Sequence, residues 1–294
     1  MQTLITNAEI ATLDAHTSSM KTAARYSNPL GLFSNGYLLA RNDQIKSIGP
    51  MADLPPHLVD DPSIDHIDAQ GRLLTPALID CHTHIVHGGN RAREFEMRLN
   101  GASYTEIANA GGGIVSTVSA TRAMSVADLV RSALPRVDAL LKEGVSVIEV
   151  KSGYGLDRDT ELRMLQAARL LAVERPVRIV TSFLGAHAMP ADFRGSPEDY
   201  IANICIPALL AAHEEGLVDA VDGFCESIAF SAEQLAPLFA KAQELGLPVK
   251  LHAEQLSRCG GSLLAAKHEA CSVDHVEYAN EEDVLALAKA GSVA

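Results

Sequence analysis

A chain of 294 residues with 47% hydrophobic and few aromatic residues can bury a large aliphatic core, and its length suits one α/β barrel, which runs to about 250 residues as a single domain. Its formal net charge of -13 argues against a nucleic-acid partner, which needs a clustered cationic face, so a small-molecule substrate is expected. No apolar stretch approaches the roughly 18 residues of a membrane span, and Met1-Gln2-Thr3-Leu4 lacks the regions of a signal peptide. That points to the cytoplasm, with no membrane partner.

The first 72 residues carry short alternating segments, Leu4 to Ile10, Gly36 to Ala40 and Gln44 to Pro50. Polar and Gly/Pro-containing turns separate them, as in a small antiparallel sheet, and they are expected to form a separate β subdomain. Residues 15 to 31 are rich in Ser, Thr and Ala without a clear period and read as a loop. From Leu73 to Ala294 the pattern changes to strand, loop and helix, repeated about six times. Predicted strands are Leu73–Ile79, Val145–Val150, Val177–Phe183, Ala220–Phe224, Val249–His252 and Ser272–Val276. Helices are expected at Ser125–Glu143, Asp157–Glu174, Ser196–Glu215, Ser231–Leu245, Gly260–Glu269 and Asn280–Ala290. Ser125 and Ser231 open helices as caps, and Gly144, Gly216 and Gly246 close them. Continuous apolar strands imply a parallel sheet covered on both faces. A (β/α)8 barrel is favoured over a doubly wound sheet because titratable residues recur at the C-terminal strand ends, where such barrels build active sites.

Those ends carry the chemistry. Asp80-Cys81-His82-Thr83-His84 closes the first apolar run, and residues two apart on a strand share a face, so His82 and His84 present two imidazoles together. Alone, a His-x-His arises by chance about as often as not. A second apolar strand ends in Leu251-His252-Ala253-Glu254-Gln255, however, and two such ends are hard to ascribe to chance. Zinc or iron on His82, His84 and His252 leaves positions open for a water, whose pKa falls to about 7 on such an ion. Glu254, two residues past His252, is expected to face the same cavity as general acid/base; its bland reading is a helix N-terminal acid. Other strand ends deliver Tyr154, His187, Glu226 and His275, the last suited to polarising a carbonyl or binding the water. His87 is a weaker candidate beside the site. Arg91 or Arg93, in Gly88-Gly89-Asn90-Arg91-Ala92-Arg93-Glu94-Phe95, offers a planar fork for an acidic substrate. Gly111-Gly112-Gly113 is a flexible turn and a weak phosphate cradle. Cys81, Cys205, Cys225, Cys259 and Cys271 lack the C-x-x-C spacing of a thiolate site and read as reduced and mostly buried.

These runs, with Glu149-Val150-Lys151-Ser152-Gly153-Tyr154-Gly155-Leu156 and Phe183-Leu184-Gly185-Ala186-His187, resemble the metal-dependent amidohydrolase superfamily. Within it, the chain from Leu73 onward resembles the imidazolonepropionases of histidine degradation. The resemblance implies that His82, His84 and His252 bind one zinc or iron ion, that Glu254 is the acid/base and that His275 assists beside the metal. It assigns Arg91, Tyr104, Tyr154, His187 and Gln255 to the substrate, 4-imidazolone-5-propanoate, whose ring amide is hydrolysed to N-formimidoyl-L-glutamate. Its propanoate carboxylate is a natural partner for Arg91. The superfamily's aspartate ligand lies on an eighth strand, whereas this chain stops as a seventh begins, with the returning half of a composite β-sandwich also absent. Six strands leave two open edges, so a fragment of a longer chain is expected, poorly soluble and inactive alone. Zinc and iron are not distinguished, and the oligomeric state stays open, a homodimer being one assembly the chain allows. The alternatives are a ring deaminase of purine or pyrimidine type, which shares the metal set without needing Arg91 and Tyr154 for a carboxylate, and a non-catalytic barrel.

Overall fold

The computed structural model describes residues 2–13, 30–42, 44–102 and 112–294. The loop expected at residues 15 to 31 therefore lies almost wholly outside the described residues, as do Tyr104 and Gly111. The chain divides into two compact units, Met1–Ala77 and Leu78–Ala294.

In the first unit, β1 (Gln2–Ala11), β2 (Leu32–Arg41) and β3 (Gln44–Pro50) form an antiparallel meander. The sheet is not purely antiparallel as expected, because β4 (Asp65–Asp68) and β5 (Leu73–Leu74) both pair parallel to β1. Leu4, Tyr37, Leu39, Leu54 and Ile64 make its core. A single strand over Leu73–Ile79 does not form. Pro76 interrupts the run, since proline has no N–H to give a ladder. Leu73 and Leu74 pair in the first unit, and β6 (Leu78–Asp80) begins the second.

The second unit is a parallel sheet in strict chain order: β6, β7 (Val145–Lys151), β8 (Arg178–Ala186), β9 (Ala220–Cys225), β10 (Lys250–Ala253) and β11 (Ser272–His275). Its middle strands are buried almost throughout, as continuous apolar runs require when both faces are covered. β6, an edge strand, leaves Leu78 and Ile79 exposed.

Between strands run α2 (Ala92–Leu99), α3 (Ile114–Arg122), α4 (Val126–Lys142), α5 (Arg158–Glu174), α8 (Ala232–Glu244), α9 (Gly261–Lys267) and α10 (Glu281–Ala290). The chain between β8 and β9 holds α6 (Pro197–Tyr200), a π turn over Ile201–Cys205 and α7 (Ile206–Glu214); α1 (Pro56–Val59) belongs to the first unit. Ser125 and Ser231 each accept a backbone N–H of the first turn and form reciprocal capping boxes with Asp128 and Gln234, a device worth about 1 kcal/mol per helix end. Gly144, Gly216 and Gly246 follow helices at positive φ, as their placement predicts. Two helices, α2 and α3, are not among those the sequence predicts; α2 begins at Ala92, within the Gly88–Phe95 run, and α3 follows directly on Gly113. All five cysteines are unpaired, but Cys81 and Cys271 are exposed, against the expectation of burial for most.

Candidate metal centre and active-site cavity

His82 and His84 lie just beyond β6 rather than on it, in a segment that still runs beside β7. Lys151 N–H donates to Thr83 O at 2.9 Å, and the Thr83 hydroxyl donates to Glu149 O at 2.5 Å. This keeps the two-residue spacing of a strand, and His82, His84 and His252 converge with ligand atoms within 4.8 Å of one another.

The second ring nitrogen of two of these imidazoles meets a carboxylate. His82 Nδ1 stands 3.2 Å from Asp274 Oδ2, and His252 Nδ1 stands 3.1 Å from Asp222 Oδ2. Burial opposes both carboxylate charges. Even so, the His82 bond and Lys151 hold Asp274 at about 2, and His252 and Lys151 hold Asp222 well below the usual range. Ionised carboxylates only accept, so each Nδ1 carries a proton, and in the neutral imidazole each Nε2 then presents a lone pair. Those two Nε2 atoms face each other at 3.2 Å. Two lone pairs at that separation repel unless a proton or a metal ion lies between them, and a tetrahedral ion with metal–nitrogen bonds of about 2.0–2.1 Å sets its ligand atoms about 3.3 Å apart. His84 is held well below its ordinary pKa by burial and the neighbouring imidazoles, and its buried Nδ1 has no hydrogen-bond partner among the described residues. The donor set therefore fits a divalent transition metal, with outer carboxylates of the kind that orient metal-binding histidines.

A cavity of about 750 Å³ lies over this centre, lined by Arg91, Tyr154, His187, Phe224 and Gln255 among others. His187 stacks on His84 with centroids 5.4 Å apart and 16° between planes. Its Nδ1 lies 2.9 Å from Gly153 O; a carbonyl only accepts, so Nδ1 donates and Nε2 is left as acceptor. Burial and His252 push its pKa down to about 4. Gly153 permits this contact, since at φ +102 a Cβ would sit 2.9 Å from His187 Nδ1. The Tyr154 loop is held from below by Glu161, whose carboxylate accepts N–H bonds from Gly153, Gly155 and Leu156 at 2.8–2.9 Å. Arg91 Nε donates to Thr117 Oγ1 at 3.1 Å, and Arg93 is not on the cavity wall. His87 meets Tyr154 edge-on at 6.0 Å. The His275 ring lies 5.7 Å from that of His82 and 5.4 Å from that of His252.

Glu254 departs from its expected place. β10 ends at Ala253, and Glu254 takes φ +50, which breaks the alternation that would have put it beside His252. Its fully buried carboxylate accepts bonds from Cys259 N–H at 3.2 Å, Gly261 N–H at 3.0 Å, and Ser262 N–H and hydroxyl at 2.9 and 2.6 Å. It is the acid at the start of α9, whose own N-cap Gly260 has no side chain to offer. Four donors meet the two oxygens, so in this structure the Glu254 carboxylate is engaged at α9 rather than beside the imidazoles.

Glu226 likewise binds protein. It accepts from Ser227 N–H at 2.8 Å, from Leu256 and Ser257 N–H at 2.8 and 3.1 Å, and from the Ser257 hydroxyl. With Glu254 it brackets Gln255. Burial opposes its charge, yet the Ser257 hydroxyl and the Leu256 and Ser227 N–H groups hold its carboxyl at about 2, against an ordinary value of 4.5. A depressed carboxyl contributes stability that is present above pH 4.5 and lost as pH falls toward 2. Urea unfolding at pH 6 and pH 3 should show a loss that Glu226→Gln reduces, by about 2 kcal/mol, since at pH 3 the folded carboxyl is still mostly ionised. An unchanged acid slope in that variant would place the charge–loop coupling elsewhere.

Sequence reasoning missed the charged layer beneath the imidazoles: Glu149, Lys151, Asp222, Lys250 and Asp274. Lys151 Nζ donates to Asp222 at 2.7 Å, Glu149 at 3.1 Å and Asp274 at 3.3 Å, while Lys250 Nζ donates to Glu149 at 2.5 Å and Cys81 O at 3.1 Å. The available signal was charge inside otherwise apolar strands, as in Val145-Ser146-Val147-Ile148-Glu149-Val150-Lys151, where an unpaired charge would be very costly.

No family model matches the chain. It is 60% identical over 291 residues to an imidazolonepropionase of Roseobacter denitrificans, covering 99% of this chain and 70% of that protein. It is 60% identical over 266 residues to an imidazolonepropionase of Rhizobium meliloti, covering 90% of this chain and 64% of the relative. The chain thus spans about two thirds of the length of these relatives. Among solved structures, a triazine hydrolase from Arthrobacter aurescens superposes with TM-score 0.69 at 14% identity, over 99% of this chain and 64% of its own. A 5-methylcytosine deaminase from Klebsiella pneumoniae superposes with TM-score 0.64 at 18% identity, over 98% and 64%. At such identities these two show a shared amidohydrolase-type fold and no more.

Proposed function

For a chain that belongs to the imidazolonepropionase family, we propose the hydrolysis of the ring amide of 4-imidazolone-5-propanoate to N-formimidoyl-L-glutamate, a cytoplasmic step of histidine degradation. The observation that carries this reading is the convergence of His82, His84 and His252, with two Nε2 atoms meeting at 3.2 Å, beside a cavity walled by Arg91. The parallel sheet is read as six strands of a (β/α)8 barrel, and the first unit as half of a composite sandwich.

His82, His84 and His252 would hold one zinc or iron ion. When bound, that ion supplies Lewis acidity toward a water and toward the ring carbonyl. Arg91 takes the propanoate carboxylate through its planar fork. His187, neutral and with Nε2 as acceptor, suits a ring N–H, while Tyr154 and Gln255 complete the described wall and Tyr104 is assigned there by resemblance alone. The oxygen of water joins the carbonyl carbon, the C–N bond breaks, and a proton is left on the departing nitrogen. With Glu254 engaged at α9, the proton relay falls to His275, whose ring neighbours both His82 and His252. A deaminase of the same fold would have no use for Arg91 on the wall, which favours the carboxylate-bearing substrate.

Metal analysis tests the centre. The chain should bind about one zinc or iron ion, and His84→Ala should weaken binding by at least about 10²-fold, since even outer-shell substitutions at metal sites cost 10–100-fold. Unchanged stoichiometry in the variant would rule out these ligands. Turnover of 4-imidazolone-5-propanoate, measured against guanine and cytosine, decides the substrate class.

A further inference from the structure

A second set of potential ligands adjoins the imidazole centre and shares one member with it. Atoms of Asp222, His252 and Asp274 lie within 4.8 Å of one another, the mixed carboxylate and imidazole composition that binds divalent ions readily. That place already holds a cation. Lys151, with no exposed side-chain surface, has Nζ 2.7 Å from Asp222 Oδ2 and 3.3 Å from Asp274 Oδ2, with Glu149 Oε1 at 3.1 Å. An ammonium has three donors, and all three are used on carboxylates. Burial opposes its charge, but the three acids more than offset that and hold Lys151 above its ordinary range.

We infer that the Lys151 ammonium is a built-in substitute for a second metal ion: it fills the cation position between Asp222 and Asp274 and so limits the centre to the single ion of the three imidazoles. The inference rests on the metal-centre reading above and concerns what sets the number of ions. Removing the ammonium leaves Lys250 on Glu149 alone, and leaves Asp222 and Asp274 with only the imidazole nitrogens of His252 and His82 as side-chain partners. Uncompensated buried charge is strongly destabilising, and a divalent cation is the species that restores the balance while meeting the same oxygens. Asp222 and Asp274 would then turn from orienting His252 and His82 to ligating.

The test uses Co²⁺ as probe, with equilibrium dialysis of the metal-free chain and thermal melts with and without the ion. Wild type should take up one equivalent and Lys151→Ala two, the second disappearing in Lys151→Ala/Asp274→Asn. The melting temperature of Lys151→Ala should fall well below wild type in chelator and recover largely in Co²⁺. One equivalent in both wild type and Lys151→Ala would overturn this inference and leave the metal centre standing. So would two equivalents in wild type, or a second equivalent that survives Asp274→Asn. A Lys151→Ala chain that folds neither with nor without Co²⁺ also counts against it, since a divalent ion would then be no substitute for the ammonium. Wild type that binds no Co²⁺ overturns the metal-centre reading itself.

Discussion

Replacing Arg91 by methionine is expected to lower kcat/KM for 4-imidazolone-5-propanoate by about 10²-fold, the loss of roughly 3 kcal/mol that removal of a charge-assisted bidentate contact implies. Methionine keeps the length and apolar stem of the side chain, so the change isolates the guanidinium. Arg91 is suited to this role because its Nε is tied to Thr117 Oγ1, and among the described residues no acid is paired with it. Its terminal nitrogens are left for a ligand, and part of the entropy of ordering the side chain is lost before binding. If the carboxylate contact is equally strong in ground and transition states, the loss appears in KM; if binding there orients the ring over the centre, kcat falls as well. Arg98 lies on the same wall and is the necessary control. A larger loss in Arg98→Met than in Arg91→Met would move the anchor about two turns along α2, whereas near wild-type values in both would remove the carboxylate from the substrate's recognition.

The sequence makes the strand ends legible because one physical rule, the two-residue repeat of extended chain, generates the His82/His84 pair and needs no tertiary information. Ser125 and Ser231 are legible for a similar reason: a cap acts within three residues of itself. What is not legible depends on contacts across the sheet. The partners of His82 and His252 are Asp274 and Asp222, 192 and 30 positions away, and Lys151 joins them from a third strand. Each of these charges looks anomalous alone, and their mutual neutralisation appears only when β7, β9 and β11, alternate strands of one sheet, bring them to the same layer. The α2 helix is hidden by its glycine-rich entry although good helix formers follow, and α3 is hidden also by its own Ile, Val, Thr and Ser residues, which a local reading assigns elsewhere. Glu254 shows the opposite failure. The same two-residue rule that works at His82 and His84 is applied one residue too far, past the end of β10, where φ turns positive.

That misplacement has a measurable consequence, because a proton-transfer group and a helix-anchoring group answer differently to the same substitution. A general base lost as Glu254→Gln would lower kcat by about 10²–10⁴-fold and leave the melting temperature alone. As placed, the carboxylate holds the N–H groups of Cys259, Gly261 and Ser262 and the Ser262 hydroxyl, and Gly261 packs so closely that a Cβ there would meet Ala253 Cβ at 2.7 Å and Cys225 Cβ at 2.9 Å. The loop therefore has little room to turn its donors to water. Glu254→Ala leaves several buried donors without acceptors at about 1–3 kcal/mol each, a total near 3–5 kcal/mol. The melting temperature should fall by about 10 °C, at 2–4 °C per kcal/mol for a unit of this size. Glu254→Gln keeps one acceptor oxygen and the shape of the side chain, so about half that loss is expected, together with a modest fall in kcat as Gln255 next to it loses its fixed position. A Glu254→Gln variant that melts like wild type while losing kcat by 10³-fold would return the proton to Glu254 and show that the carboxylate leaves α9 when substrate binds.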